Sequence, residues 1–179
     1  MSSPNTVTER TVHTKGGPQI ASKTPKTPNS RNTGVRHVGL HAKDPAASGE
    51  FYRDLLDLRI VGGSGPEDAL GATAFLSSRP DEELHDVVLF ANPEYAHVAF
   101  KVASLADLKS LYARVLQKGI PIKFVFNHGV SFSFYFDDPD GHMIEVYWPT
   151  ETRPSYRQPY AEPLDLTQPD ELLLKQVGR

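Results

Sequence analysis

Glu145 stands alone among apolar neighbours in the run Met143-Ile144-Glu145-Val146-Tyr147-Trp148. A carboxylate on such a strand is costly to bury unless something compensates its charge. Two histidines have matching surroundings: His37-Val38-Gly39-Leu40 is echoed 60 residues later by His97-Val98-Ala99-Phe100. Two neutral imidazoles and one carboxylate suit a divalent first-row ion, and their facial arrangement with open positions is the signature of non-heme Fe(II) oxygenases. Taken singly, each residue has an ordinary reading, a hydrogen-bonded strand histidine or an exposed edge glutamate. The coincidence favours the metal, because both histidines hold one repeat position and the acid lies on the last strand of the second copy.

Such a site requires elements that bring the two histidines face to face, and from Val35 the chain supplies them twice. Arg36–His41 alternates as a strand. Asp44 then caps a helix with Pro45 in its first turn, and Ala47, Phe51, Leu55 and Leu58 recur at spacings of three and four. Gly62-Gly63 and Gly65-Pro66 break the chain, and residues 72–77 and 86–91 are further strands. In the second copy Ser104 takes the place of Asp44, Leu111-Tyr112 falls on Phe51-Tyr52, and Val115-Leu116 on Leu55-Leu56. Strands at 121–126, 131–137 and 143–148 follow, the last two joined by the turn Asp138-Pro139-Asp140-Gly141. Two copies predict a duplicated βαβββ unit rather than a solenoid, which needs at least three repeats. The modules, 35–93 and 94–150, should share a concave face.

The flanks differ from this body. Residues 1–34 are Ser, Thr, Pro, Asn and Gly punctuated by bases, and read as a disordered basic tail, with a transit peptide as the alternative. Residues 151–179 open on prolines that forbid regular structure and close on a short helix capped by Thr167, which Leu172, Leu173 and Val177 would dock on the body or on a second subunit. A homo-oligomer is therefore expected. Residues 1–36 carry six bases against one acid, whereas the remainder carries 13 bases and 21 acids. A body of that sign is unsuited to nucleic acid. The longest apolar runs, such as Val87-Val88-Leu89-Phe90, fall far short of the roughly 20 residues that span a membrane. The start of the chain lacks the apolar core of a secretory signal, and the absence of cysteine removes disulfides and thiolate chemistry. A cytoplasmic protein acting on a small substrate is the expectation.

The segments His37-Val38-Gly39-Leu40 with Phe51-Tyr52, His97-Val98-Ala99-Phe100, and Tyr135-Phe136-Asp137-Asp138-Pro139-Asp140-Gly141-His142-Met143-Ile144-Glu145-Val146-Tyr147 together resemble the vicinal oxygen chelate superfamily. Within it they are most similar to the type I extradiol ring-cleaving dioxygenases, the catechol 2,3-dioxygenase group. The resemblance covers about residues 35–150. It implies an α+β fold in which the two modules pair into an incomplete barrel around a metal held by His37, His97 and Glu145, with Fe(II) as the ion and Mn(II) as the alternative. It implies O2 and a small aromatic diol as substrates. By position, His85 matches a histidine acting on the substrate hydroxyl and bound oxygen, and Tyr135 a tyrosine that hydrogen-bonds the catecholate. Both assignments suit the chemistry of the side chains: an imidazole exchanges protons near neutral pH, and a phenol steadies an oxyanion without being charged.

His128 departs from the pattern, lying seven rather than nine residues before the tyrosine, and is read as contacting either the substrate or the metal ligands. His41 lies beyond ligand reach, and His142 and His13 are read as solvated. Glyoxalase I, in the same superfamily, uses a fourth protein ligand, a carboxylate on the last strand of its first module. Superposing Met143–Val146 on Val87–Phe90 sets Leu89 opposite Glu145, so that ligand is missing here. Two alternatives stay open: a metal-dependent lyase or isomerase that consumes no oxygen, and a metal-free small-molecule binder.

Overall fold

A computed structural model describes residues 32–82, 84–150 and 161–177. The expected basic tail up to residue 31 and the proline-rich stretch 151–160 lie outside them. Module one comprises β1 (Asn32–His41), α1 (Pro45–Leu56), β2 (Arg59–Ser64), β3 (Thr73–Ser77) and β4 (Val87–Phe90). Module two repeats the order with β5 (His97–Val102), α2 (Leu105–Gln117), β6 (Ile122–Asn127), β7 (Ser131–Asp137) and β8 (Met143–Pro149). An arm follows, made of β9 (Glu162–Pro163) and α3 (Asp170–Leu174).

Among the described residues, nine strands form one sheet in the order β2-β3-β4-β1-β5-β8-β7-β6-β9, whose two ends do not pair with each other. The modules join along the antiparallel pair β1–β5, and in each the first strand runs parallel to the last, β1 beside β4 and β5 beside β8. This α+β sheet is the incomplete barrel expected of the duplicated unit. Side chains alternate across it. On β7 and β8, Phe132, Phe134 and Val146 point to α2 and form the main core with Leu105, Leu108 and Val115. Ser133, Tyr135 and Glu145, at the intervening positions, therefore share the opposite face.

The helices start where their caps place them. Asp44 accepts from the amide of Ala47 at 3.0 Å with Pro45 behind it, and Ser104 accepts from the amide of Asp107 at 3.1 Å. Elsewhere the structure corrects the sequence reading. The first strand begins at Asn32, inside the segment assigned to the tail. Asn32 pairs with Val102 of the neighbouring strand β5, Thr33 Oγ1 donates across to the Lys101 carbonyl at 3.0 Å, and within the strand Asn32 accepts from the Gly34 amide at 2.7 Å. Gly62-Gly63 belongs to edge strand β2 rather than to a break. A methyl group at Gly63 would lie 2.6 Å from the Thr73 carbonyl, so glycine there permits close strand approach.

In the arm, Pro163 pairs with Phe126 although prolines were expected to exclude regular structure; an edge position tolerates the missing N–H. Thr167 does not cap the last helix, because its hydroxyl and amide both turn to Asp165; the helix instead begins after Pro169. Leu173 and Val177 dock on the core as expected, whereas Leu172 faces solvent.

Candidate metal centre

His37 on β1, Ala99 on β5 and Glu145 on β8 lie side by side across the sheet. His97 stands one pleat from Ala99 on the same face and opposite Gly39. The ring of His97 lies over this glycine: a methyl group there would come within 2.6 Å of His97 Nδ1 and 2.9 Å of the Phe90 ring. Three ligand-type atoms then converge. Nε2 of His37 is 3.0 Å from Glu145 Oε2, Nε2 of His97 is 3.2 Å from the same oxygen, and the two nitrogens are 3.2 Å apart. All three residues are buried.

The donor set fits a divalent ion. Donors about 2.1 Å from a common ion at right angles would stand about 3.0 Å apart, close to the spacing observed. His97 Nδ1 donates to the Tyr95 carbonyl at 2.7 Å, which leaves Nε2 with its lone pair directed at the carboxylate. A lone pair so placed needs a proton or a cation between it and the oxygen. Burial alone would raise the pKa of Glu145, yet the hydrogen bonds and electrostatic attraction of His37 and His97 hold it well below the carboxylate range. Burial conversely pulls His97 down, and the hydrogen bond and charge of Glu145 together with the Tyr95 carbonyl bring it above its ordinary value.

His85 and Tyr135 flank this group on opposite sides. The His85 ring centroid is 4.3 Å from that of His37 and 5.3 Å from that of Phe75, on the loop before β4. Burial first, and the nearby charge of His37 second, hold its pKa well below the ordinary imidazole value, so it is neutral near pH 7. Tyr135 is the cross-strand partner of Glu145, and its ring lies 5.9 Å from that of His97. His128 reaches the Tyr135 hydroxyl at 2.9 Å from the β6–β7 hairpin, despite its unusual spacing in the sequence. Phe124 and Phe126 stack beside this pair.

An open cleft of about 620 Å³ runs up to His97, lined by Gly39, Tyr95, Phe124 and Met143 among others; it meets the triad at that residue alone. His142 is exposed, as expected, and His41, which is absent from the triad, is exposed as well. Ser133 was not anticipated. It is fully buried on β7 and donates to Glu145 Oε1 at 2.6 Å. The signal was available in a lone serine between Phe132 and Phe134, two residues from Tyr135 on the same strand face.

The ladder register also corrects the comparison of modules. Gly39 pairs with Val88 where Ala99 pairs with Glu145, so the module-one counterpart of Glu145 is Val88 rather than Leu89. Leu89 packs under α1 with Ala74 and Leu76, while Val88 lies with Phe75 and Phe90 on the site face. The lack of a carboxylate as fourth ligand is unchanged by the one-residue shift, because Val88 is equally unable to bind a metal.

A duplicated βαβββ sheet centred on this buried group defines a class, and the family comparison agrees with it. Residues 34–146 match the Glyoxalase/Bleomycin resistance protein/Dioxygenase superfamily, and the chain belongs to that family. It is 33% identical over 124 residues, 63% of this chain and 61% of the relative, to biphenyl-2,3-diol 1,2-dioxygenase 3 of Rhodococcus globerulus. Among solved structures it is similar to a Mn(II)-bound glyoxalase from Novosphingobium aromaticivorans, at 28% identity and a TM-score of 0.55 over 75% of this chain and 44% of that one. A catechol 2,3-dioxygenase shares the fold at 22% identity and a TM-score of 0.58, over 74% of this chain and 46% of that one. The chain thus spans about three fifths of the curated dioxygenase and under half of these solved chains. No helix among the described residues is long and apolar enough to cross a membrane.

Proposed function

We propose that this chain is an extradiol-type dioxygenase that inserts O2 beside the diol of a catechol-like aromatic. His37, His97 and Glu145 would hold Fe(II), with Mn(II) as the alternative ion. The observation that carries the reading is the buried triad with a neutral imidazole, His85, on one side and a buried phenol, Tyr135, on the other. Likeness to a biphenyl-2,3-diol dioxygenase supports it. Bound in the triad, the ion supplies the electronic link between the diol and oxygen.

The remaining work falls to the side chains. His85, uncharged at rest, accepts a proton from a diol hydroxyl on its ring nitrogen and returns it during bond cleavage. Tyr135 steadies a substrate oxygen through its hydroxyl, which His128 Nε2 orients from 2.9 Å. Phe75 and Phe90 with Val88 on one side, and Phe124 and Phe126 on the other, offer apolar walls to a ring.

The test is oxygen consumption by Fe(II)-loaded, anaerobically prepared protein offered substituted catechols, with the yellow ring-opened semialdehyde followed optically. Uptake coupled to that colour is expected. No uptake with iron demonstrably bound would overturn the reading and favour a metal-dependent lyase or isomerase, which the likeness to a Mn(II)-bound glyoxalase supports.

A further inference from the structure

We infer that Ser133 is a positioning residue that restricts Glu145 to a single metal bond, and so keeps the far side of the site open to substrates. The inference rests on the metal reading proposed above. Glu145 has two oxygens with different tasks. Oε2 faces both imidazoles, at 3.0 and 3.2 Å, whereas Oε1 accepts the Ser133 hydroxyl at 2.6 Å. That length is typical of a charge-assisted O–H···O⁻ bond, the stronger kind. Ser133 is wholly buried and Glu145 nearly so, which keeps water from competing for either group.

The strand register makes this contact available. Ser133 pairs with Tyr147 and Tyr135 with Glu145, so Ser133 reaches the carboxylate diagonally from two residues along the same face. A carboxylate is able to bind a cation through one oxygen or both. With Oε1 held by Ser133, the protein donates three atoms, and a six-coordinate ion keeps three positions free. A chelating diol needs two and oxygen one. Without the hydroxyl, Oε1 is left buried and unpaired, and turning it onto the ion is its nearest compensation.

Co(II) alone serves as the probe, since its visible bands report coordination and need no turnover. Ser133→Ala is expected to give a Co(II) spectrum distinct from wild type, with affinity changed about 10- to 100-fold, the scale of losing a ligand's hydrogen-bond partner. Ser133→Thr, which keeps the hydroxyl, should restore both. Ser131→Ala removes a buried serine from the same strand face and should leave both unchanged, which separates positioning from general loosening of β7. Wild-type spectrum and affinity in Ser133→Ala would overturn the inference, as would an equal change in Ser131→Ala. A wild-type protein that takes up no Co(II) would instead overturn the metal reading itself.

Discussion

Modules one and two surround the centre with the same elements, and they differ in charge and in what lies behind them. At the ladder position facing the site, module two carries Glu145 and module one Val88. Where module one has Gly39, module two has Ala99. Behind the sheet, Val115 of α2 is 8% exposed in the core it shares with Leu164, Leu166 and Leu173 of the arm. Its counterpart 60 residues earlier, Leu55 of α1, is 64% exposed. The half that carries the buried carboxylate is thus the half with the thicker backing. A charged group in a low-dielectric site is stable only if its partners are held in place, and packing is what holds them.

This difference can be broken at several points. The largest effect is expected from Glu145→Ala, which should abolish metal uptake and oxygen consumption together, whereas Val88→Ala should leave metal uptake intact; metal content by mass spectrometry reads both. Next is His85→Ala, which should retain the metal while turnover falls about 10²- to 10⁴-fold, the usual range for losing a general acid–base group. A variant with undiminished turnover removes His85 from the mechanism. In stability, Leu108→Ala behind module two should cost about 2–5 kcal/mol by denaturant unfolding. Gly39→Ala should cost about 1–3 kcal/mol by crowding the His97 ring, with weakened metal binding as its second signature. Leu55→Ala, on the exposed face of α1, should stay within about 0.5 kcal/mol of wild type. A large loss there would mean that this helix face is covered in solution.

What the sequence disclosed follows a physical pattern. The repeat, the caps Asp44 and Ser104, the alternating strands and the three triad residues were legible because each is a local type-and-spacing signal. Two kinds of feature were not. Strand β2 and the start of β1 are glycine-rich or polar, and they belong to the sheet through backbone approach and side-chain-to-backbone bonds that composition does not report. The second kind depends on register: Leu89 and Val88 are adjacent apolar residues, and only the β1–β4 ladder shows which faces the site. Ser133 combines both difficulties, since a buried serine becomes meaningful only once its strand is paired with that of Glu145.

The arm has a consequence for motion. Leu164 N bonds the Val125 carbonyl, β9 pairs with the end of β6, and Asn127 Nδ2 donates to the Gln176 carbonyl at 3.0 Å. Asn127 also accepts from the Gly129 amide, inside the hairpin that holds His128. A five-residue helix anchored chiefly by Leu173 therefore clamps the loop behind Tyr135. Arm and hairpin should open as one cooperative unit, and their amides should exchange with deuterium at matched rates, below the protection of the β5–β8 centre. Local breathing at the end of the chain would then set how steadily His128 holds the Tyr135 hydroxyl.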